Sequence, residues 1–222
     1  MATSGSINYS LNARQLCTYA LKKIRIIGQG ETPSAEDMAD ALEELNVMLK
    51  GWQLSGPNLW RQTFGSVTMV TGTASYVLSP RPYRIIECRY RNTSGTDLPM
   101  TEMLRQDYVD IPTKTSTGTP TQFYVDQQRS SVTLYVWPVP ASATTETVQY
   151  TYQRVFEDLD ALTDDIDIPQ EYEDVVGYAL ADRLQETFGK EVKGVSKRAA
   201  YLMAMADAAD RETSVRFEPA FS

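Results

Sequence analysis

The sequence predicts an α+β protein: a helical bundle drawn from both chain ends, with a small β-sandwich or barrel domain inserted between them. Three observations lead there. Asn12 to about Ser55 reads as a pair of amphipathic helices, and Pro169 to about Thr213 reads as a second pair. The tract between them is rich in Val, Thr, Tyr and Pro and alternates at strand period. Helices and strands are thus segregated along the chain, which marks an α+β rather than an α/β organisation. The expected division is a discontinuous helical domain over 1–60 and 158–213, a β domain over 61–157, and a C-terminal tail over 214–222.

The first helix carries Ala13, Leu16, Cys17, Ala20, Leu21, Ile24 and Ile27 on one stripe, and Gly28 is expected to end it. Gly28-Gln29-Gly30 lacks the spacing and the preceding strand of a phosphate loop. Thr32 or Ser34 can cap the second helix, Pro33 suits its first turn, and Glu36 and Asp37 complement its dipole. Its apolar stripe is Met38, Ala41, Leu42, Leu45, Leu49 and Trp52. Glu36, Asp37, Asp40, Glu43 and Glu44 form the opposite face, read as solvated or subunit-facing.

Six strands are expected in the middle tract: Arg61 to Val70, Ser75 to Leu78, Tyr83 to Arg91, Gln122 to Asp126, Ser131 to Trp137 and Glu146 to Phe156. Thr101 to Tyr108 reads as a short helix started by Thr101. Asp158 to Asp167 is dense in acid but fails as a calcium loop. Counted from Asp158, Thr163 sits at the glycine position and Pro169 at the glutamate position; counted from Asp160, Leu162 takes a ligand position. It reads as a linker whose last acids cap the following helix.

Pro169 opens the third expected helix, with Tyr172, Val175, Val176, Ala179, Leu180, Leu184 and Phe188 as its stripe and Gly189 as its stop. The fourth starts near Glu191 and uses Val195, Ala199, Leu202, Ala206 and Ala209, widened by Tyr201, Met205 and Ala208. So many small residues suit a helix packed on two sides, as at a subunit boundary. Lys190, Lys193, Lys197 and Arg198 form the one concentrated basic cluster. The tail carries Val215, Phe217, Pro219 and Phe221. Its aromatics fit either packing back on the protein's own helices or docking on a partner.

Composition narrows the chemistry. The 222 residues include no histidine, which excludes Ser-His-Asp and Cys-His machinery and any histidine metal site. No catalytic, cofactor-binding or metal-binding residue is assigned, and no pair stands out among the 29 acids. Cys17 and Cys88 read as small buried hydrophobes of a reducing compartment. A net charge of −8 disfavours gripping phosphates. No apolar run approaches the roughly 20 residues of a membrane span, and Met1 to Ser10 reads as a small polar arm rather than a secretion signal.

Three stretches carry a resemblance. They are Leu16 to Ile27 with Pro33 and Ala41-Leu42-Glu43-Glu44-Leu45-Asn46-Val47-Met48-Leu49-Lys50-Gly51-Trp52; Gly118-Thr119-Pro120-Thr121-Gln122-Phe123-Tyr124-Val125; and Ile168 to Ala181. Together they resemble the head-to-tail adaptor (connector) proteins of tailed bacteriophages, especially the short-tailed kind: tail tubular protein A and the packaged-DNA stabilisation factors. That resemblance implies a structural virion protein, not an enzyme, assembled in the host cytoplasm. It implies a homo-oligomeric ring of twelve copies joining the portal protein to the tail nozzle protein and retaining packaged DNA, with DNA passing through the channel without sequence-specific binding. Val215, Phe217, Pro219 and Phe221 would be the portal-docking anchors, and Lys190, Lys193, Lys197 and Arg198 a basic contact patch. Two alternatives come from other classes: a tail-associated carboxylate-dependent hydrolase, and a DNA-binding module gripping through Arg183 and the basic cluster.

Overall fold

A computed structural model describes residues 5–6, 9–54, 59–141 and 145–210. Among them, one compact unit joins the residues before Trp60 to those after Val155, and the other is Trp60–Val155.

Among the described residues four α-helices build the first unit: α1 (Ala13–Lys23), α2 (Ala35–Trp52), α4 (Glu173–Thr187) and α5 (Val195–Ala209). The shorter α3 (Arg105–Asp110) belongs to the second unit. Leu16, Cys17, Leu21 and Ile24 of the first segment, Leu45 and Leu49 of α2, and Val176, Leu180 and Leu184 of α4 fill one apolar cluster at close to zero exposure. Met48 joins them, a buried position the sequence stripe omitted.

The start of α1 has all of its leading amides satisfied. Asn12 Oδ1 accepts from Gln15 N at 3.0 Å, and Gln15 Oε1 accepts from Asn12 N at 3.0 Å, a reciprocal cap. Ala13 N donates to Asp164 O and Arg14 N to Leu162 O, both at 2.9 Å. The acid-rich segment is therefore not a linker that caps the following helix. Asp164 Oδ2 accepts from Asp160 N and Ala161 N at 3.0 and 2.8 Å, folding the loop so that its carbonyls face α1. Asn46 fastens the same segment to α2: its Nδ2 donates to Leu159 O at 2.9 Å and its Oδ1 accepts from Leu159 N at 3.0 Å.

Helix ends correct three expectations. α1 stops at Lys23, not Gly28. Arg25 sits at φ 59°, Arg25 N donates to Lys22 O, and Ile26 N donates to Leu21 O. This is a Schellman termination with arginine at the left-handed position usually held by glycine. α4 ends the same way, with Gly189 at φ 60°. The last helix starts at Val195, because Gly194 at φ 99° breaks the chain before it. Ser34, rather than Thr32, caps α2, accepting from Asp37 N at 3.0 Å. Pro169 precedes a single 3-10 turn, Gln170–Tyr172, rather than α4 itself.

Among the described residues the second unit contains ten strands: β1 (Gln62–Thr68), β2 (Ser75–Val77), β3 (Pro82–Arg91), β4 (Asp97–Pro99), β5 (Thr101–Glu102), β6 (Thr117–Gly118), β7 (Gln122–Gln127), β8 (Val132–Trp137), β9 (Val139–Pro140) and β10 (Thr147–Arg154). They form sheets ordered β1-β10-β3-β4 and β2-β8-β7-β5, with β6 and β9 paired separately. Both four-stranded sheets contribute to one core: Cys88, Tyr90, Val148, Tyr150 and Tyr152 from the first, and Phe123, Val132, Leu134 and Val136 from the second. Alternation in β3 resets at a bulge: Thr151 faces Glu87 but Tyr152 faces Ile85, so Ile86 is skipped and left exposed while Ile85 and Cys88 point in. Thr101 starts no helix. It pairs in parallel with Gln122, which takes its backbone into a sheet.

Burial pushes the Cys17 thiol up to about 12 and raises the Cys88 thiol as well, so both stay protonated and unreactive.

Two substitutions test these packing arguments. Arg25→Gly removes the penalty of a left-handed arginine, roughly 0.5–1 kcal/mol, and should raise the thermal midpoint by about 2 °C. An unchanged or lowered midpoint contradicts the account of that helix end. Gly177 lies where α4 meets α1, and an added Cβ would stand 2.7 Å from the Tyr19 ring carbons. Alanine there would regain about 1 kcal/mol of helix propensity, whereas valine regains little. Gly177→Val should therefore cost about 1–3 kcal/mol in denaturant unfolding.

Candidate functional site

The candidate surface in the helical unit is α5 and the turn that leads into it. The 18-residue α2 and the 15-residue α4 pack within the cluster, but α5 lies mainly against α4. Of its 15 residues only Val195, Ala199 and Ala206 are buried. At 100° per residue, Lys197, Tyr201, Ala204, Met205 and Ala208 fall on the side opposite those three. Tyr201 is 55% exposed and Met205 54% exposed. A helix edge of this kind leaves large apolar side chains in water, the opposite of what stability alone favours.

The α4–α5 turn is braced from below by Gln185, which is buried. Its Oε1 accepts from Val192 N at 2.6 Å, and its Nε2 donates to Asp182 Oδ1 at 3.0 Å and Ser196 Oγ at 3.2 Å. A cleft of about 530 Å³ opens beside this turn, lined by Glu44, Arg183, Glu186, Lys190, Glu191 and Ser196 among others. Its mixed charge suits neither a phosphate backbone nor a purely cationic partner.

The predicted basic cluster does not act as one surface. Lys190 Nζ donates to the Arg25 carbonyl at the end of α1. Arg198 faces Asp174 at 3.7 Å and stacks near the Tyr178 and Tyr201 rings, with its guanidinium carbon 5.9 and 5.6 Å from their centroids. Arg183 pairs with Glu44 at 3.1 Å. Lys193 and Lys197 remain exposed and make no ion pair among the described residues. Asp174 also accepts from the Tyr19 hydroxyl at 2.7 Å; burial first, and then Asp174, raises the Tyr19 pKa. Lys23 sits 4.4 Å above the Tyr19 ring. These contacts tie α1, α4 and α5 together at the surface.

The second unit adds a feature that sequence reasoning missed. Tyr108 of α3, Tyr124 of β7 and Tyr135 of β8 stack with centroids 5.1 to 5.8 Å apart, and Lys114 lies over Tyr108 at 5.6 Å. On β7 and β8 these tyrosines alternate with buried Phe123, Leu134 and Val136, and the register Tyr124↔Tyr135 sets them side by side next to Tyr108.

The predicted docking residues Val215, Phe217, Pro219 and Phe221 lie outside the described residues. Among the described residues no group of three or more acids or cysteines is arranged to hold a metal ion, and no helix is long and apolar enough to cross a membrane.

No curated protein matches the sequence. A family model described as SU10 adaptor protein matches residues 16–219, spanning both units and every helix of the first except the opening turn of α1. An exposed helix edge is what a protein built to join other proteins presents. The chain belongs to the SU10 adaptor protein family, and it is a phage head-to-tail adaptor, a structural component of the virion that associates with other head and tail proteins.

Proposed function

We propose that this adaptor forms a homo-oligomeric ring, of twelve copies, that joins the portal protein to the tail nozzle protein and helps retain packaged DNA. The family match over residues 16–219 carries the reading. In it, helices from both chain ends form a bundle that is the wedge of the ring, and the inserted residues 61–157 are a β-sandwich. Assembly takes place in the host cytoplasm, before the neck is complete. Head-to-tail contacts between identical copies close a ring when the rotation between neighbours divides a full turn. Many modest contacts to the portal then add up to firm attachment. A chain of net charge −8 suits a channel through which DNA slides without sticking. The engagement of Arg183, Lys190 and Arg198 within the helical unit disfavours a DNA grip there. In this reading the ring is of the tail-tubular or packaged-DNA-stabilising type of short-tailed phages.

In this reading the tail residues Val215, Phe217, Pro219 and Phe221 are the portal anchors, their apolar and aromatic side chains supplying the docking contacts.

Mixing the full chain with purified portal rings and imaging the product should give portal particles extended by a ring of added density. Portal rings that stay bare at micromolar adaptor overturn the reading. Deleting the residues after Thr213 should leave the circular dichroism and thermal midpoint unchanged while abolishing portal binding; a truncated chain that still binds removes the tail from the docking role.

A further inference from the structure

Two exposed helix faces in the first unit match each other in charge and in order. On α2, Glu36, Asp40, Glu43 and Val47 lie on one side, opposite buried Met38, Ala41, Leu45 and Met48. That face is acidic at its N-terminal end and apolar at its C-terminal end, where Val47 is 51% exposed and Leu54, just beyond the helix, 79%. On α5 the exposed side runs from Lys193 in the preceding turn and Lys197 to Tyr201, Ala204, Met205 and Ala208. It is basic at its N-terminal end and apolar at its C-terminal end. Glu36, Asp40, Glu43, Lys193 and Lys197 make no ion pair among the described residues, so their charges are free to meet a partner.

The spacing matches too. Lys197 precedes Tyr201 by four residues, and Glu43 precedes Val47 by four. Each interval is about 6 Å of helix rise. Laid side by side in the same direction, the two faces bring lysine to glutamate and tyrosine to valine in one register. The same faces within one chain do not meet: α5 packs mainly on α4, and α2 packs on α1 and α4. Two different surfaces that complement each other on identical chains give a heterologous, head-to-tail contact, the geometry that generates rings.

We propose that the joint between neighbouring copies is made by α5 of one copy lying parallel to α2 of the next, with Lys193 and Lys197 against Glu36, Asp40 and Glu43, and Tyr201 and Met205 against Val47 and Leu54. This rests on the ring reading above and specifies its interface. The occupant is a second copy of this chain because each face carries what the other lacks. A charged face alone would stay solvated, but here an apolar patch of 50–80% exposed side chains continues each one.

The test uses the full chain and native mass spectrometry, with and without portal rings. The unaltered protein should give a multi-copy ring under at least one of the two conditions. Lys197→Glu and Glu43→Lys should each abolish it, because each sets like charges face to face. The double substitution should restore the ring, since it restores opposite charges in the same place. Lys22→Glu, at an exposed position of α1, changes net charge by the same amount and should leave assembly intact. Thermal midpoints near that of the unaltered protein show that the single variants are folded. If the unaltered chain assembles and the single variants assemble equally well, or if the double substitution fails to rescue, this interface is wrong while the ring reading stands. If the unaltered chain remains a monomer even on portal rings, both fall.

Discussion

The fold of the helical unit depends on one tie: the first turn of α1 is completed by residues about 150 positions further along the chain. Ala13 and Arg14 donate to the carbonyls of Asp164 and Leu162, and Leu11 N donates to Glu173 Oε1 at 2.8 Å. A helix of 11 residues is marginal alone. α2 covers part of its apolar stripe, but its leading amides and the rest of the stripe need partners that the chain supplies only after the whole β-rich tract has been made. Once they meet, the cost of closing that long loop grows slowly with its length, and the burial of Leu16, Leu21 and Ile24 against α4 offsets it. At about 1.5–3 kcal/mol per buried large apolar side chain, three such residues outweigh any single surface ion pair in the unit.

That dependence explains where the polar network sits. Asn46 and Lys50 on α2 reach the same segment: Asn46 through its two bonds to Leu159, and Lys50 through the Phe156 carbonyl and Asp158, each at 2.5 Å. The acids from Asp158 to Asp167 are thus scaffold. Asp164 spends its carboxylate on loop amides and its carbonyl on α1. Lys190 and Arg198 serve the same purpose at the other end of α1 and beside α4. Charges consumed by folding are not available to a partner, and this leaves Lys193 and Lys197, with Glu36, Asp40 and Glu43 of α2, among the groups free to recognise one.

An adaptor protein must hold its own shape and still present surface that is stable only when covered. Here the two demands fall on different helices. α1 and α4 face each other closely enough that Gly177 has no room for a side chain against Tyr19. α5 buries three residues and exposes Tyr201 and Met205. The β unit separates the demands differently, with Val148, Tyr150 and Tyr152 in its core and the Tyr108, Tyr124 and Tyr135 stack on the outside of a sheet.

Periodicity by itself found the buried stripe of α1, most of that of α2 and the Val175, Val176, Leu180 and Leu184 part of that of α4, along with the long strands, because 3.6-residue and two-residue repeats are local and survive without knowledge of partners; it missed Met48, Gly177, Ala181 and Gln185, which are buried by what the neighbouring elements bring against them. It also placed Gly189 as a stop. Only the tertiary structure decided the rest. Gly28 gave way to Arg25 as the end of α1, since Lys190 reaches back to hold the Arg25 carbonyl and Ile26 closes onto Leu21. Strands of two or three residues such as β5, β6 and β9 carry no period to read and exist through pairing. The acidic segment looked like a cap for the helix after it, yet its carbonyls cap the helix at the other end of the chain. The basic cluster divided for the same reason: its four members are neighbours in sequence, but only contacts across the fold determine which charges are spent and which remain exposed.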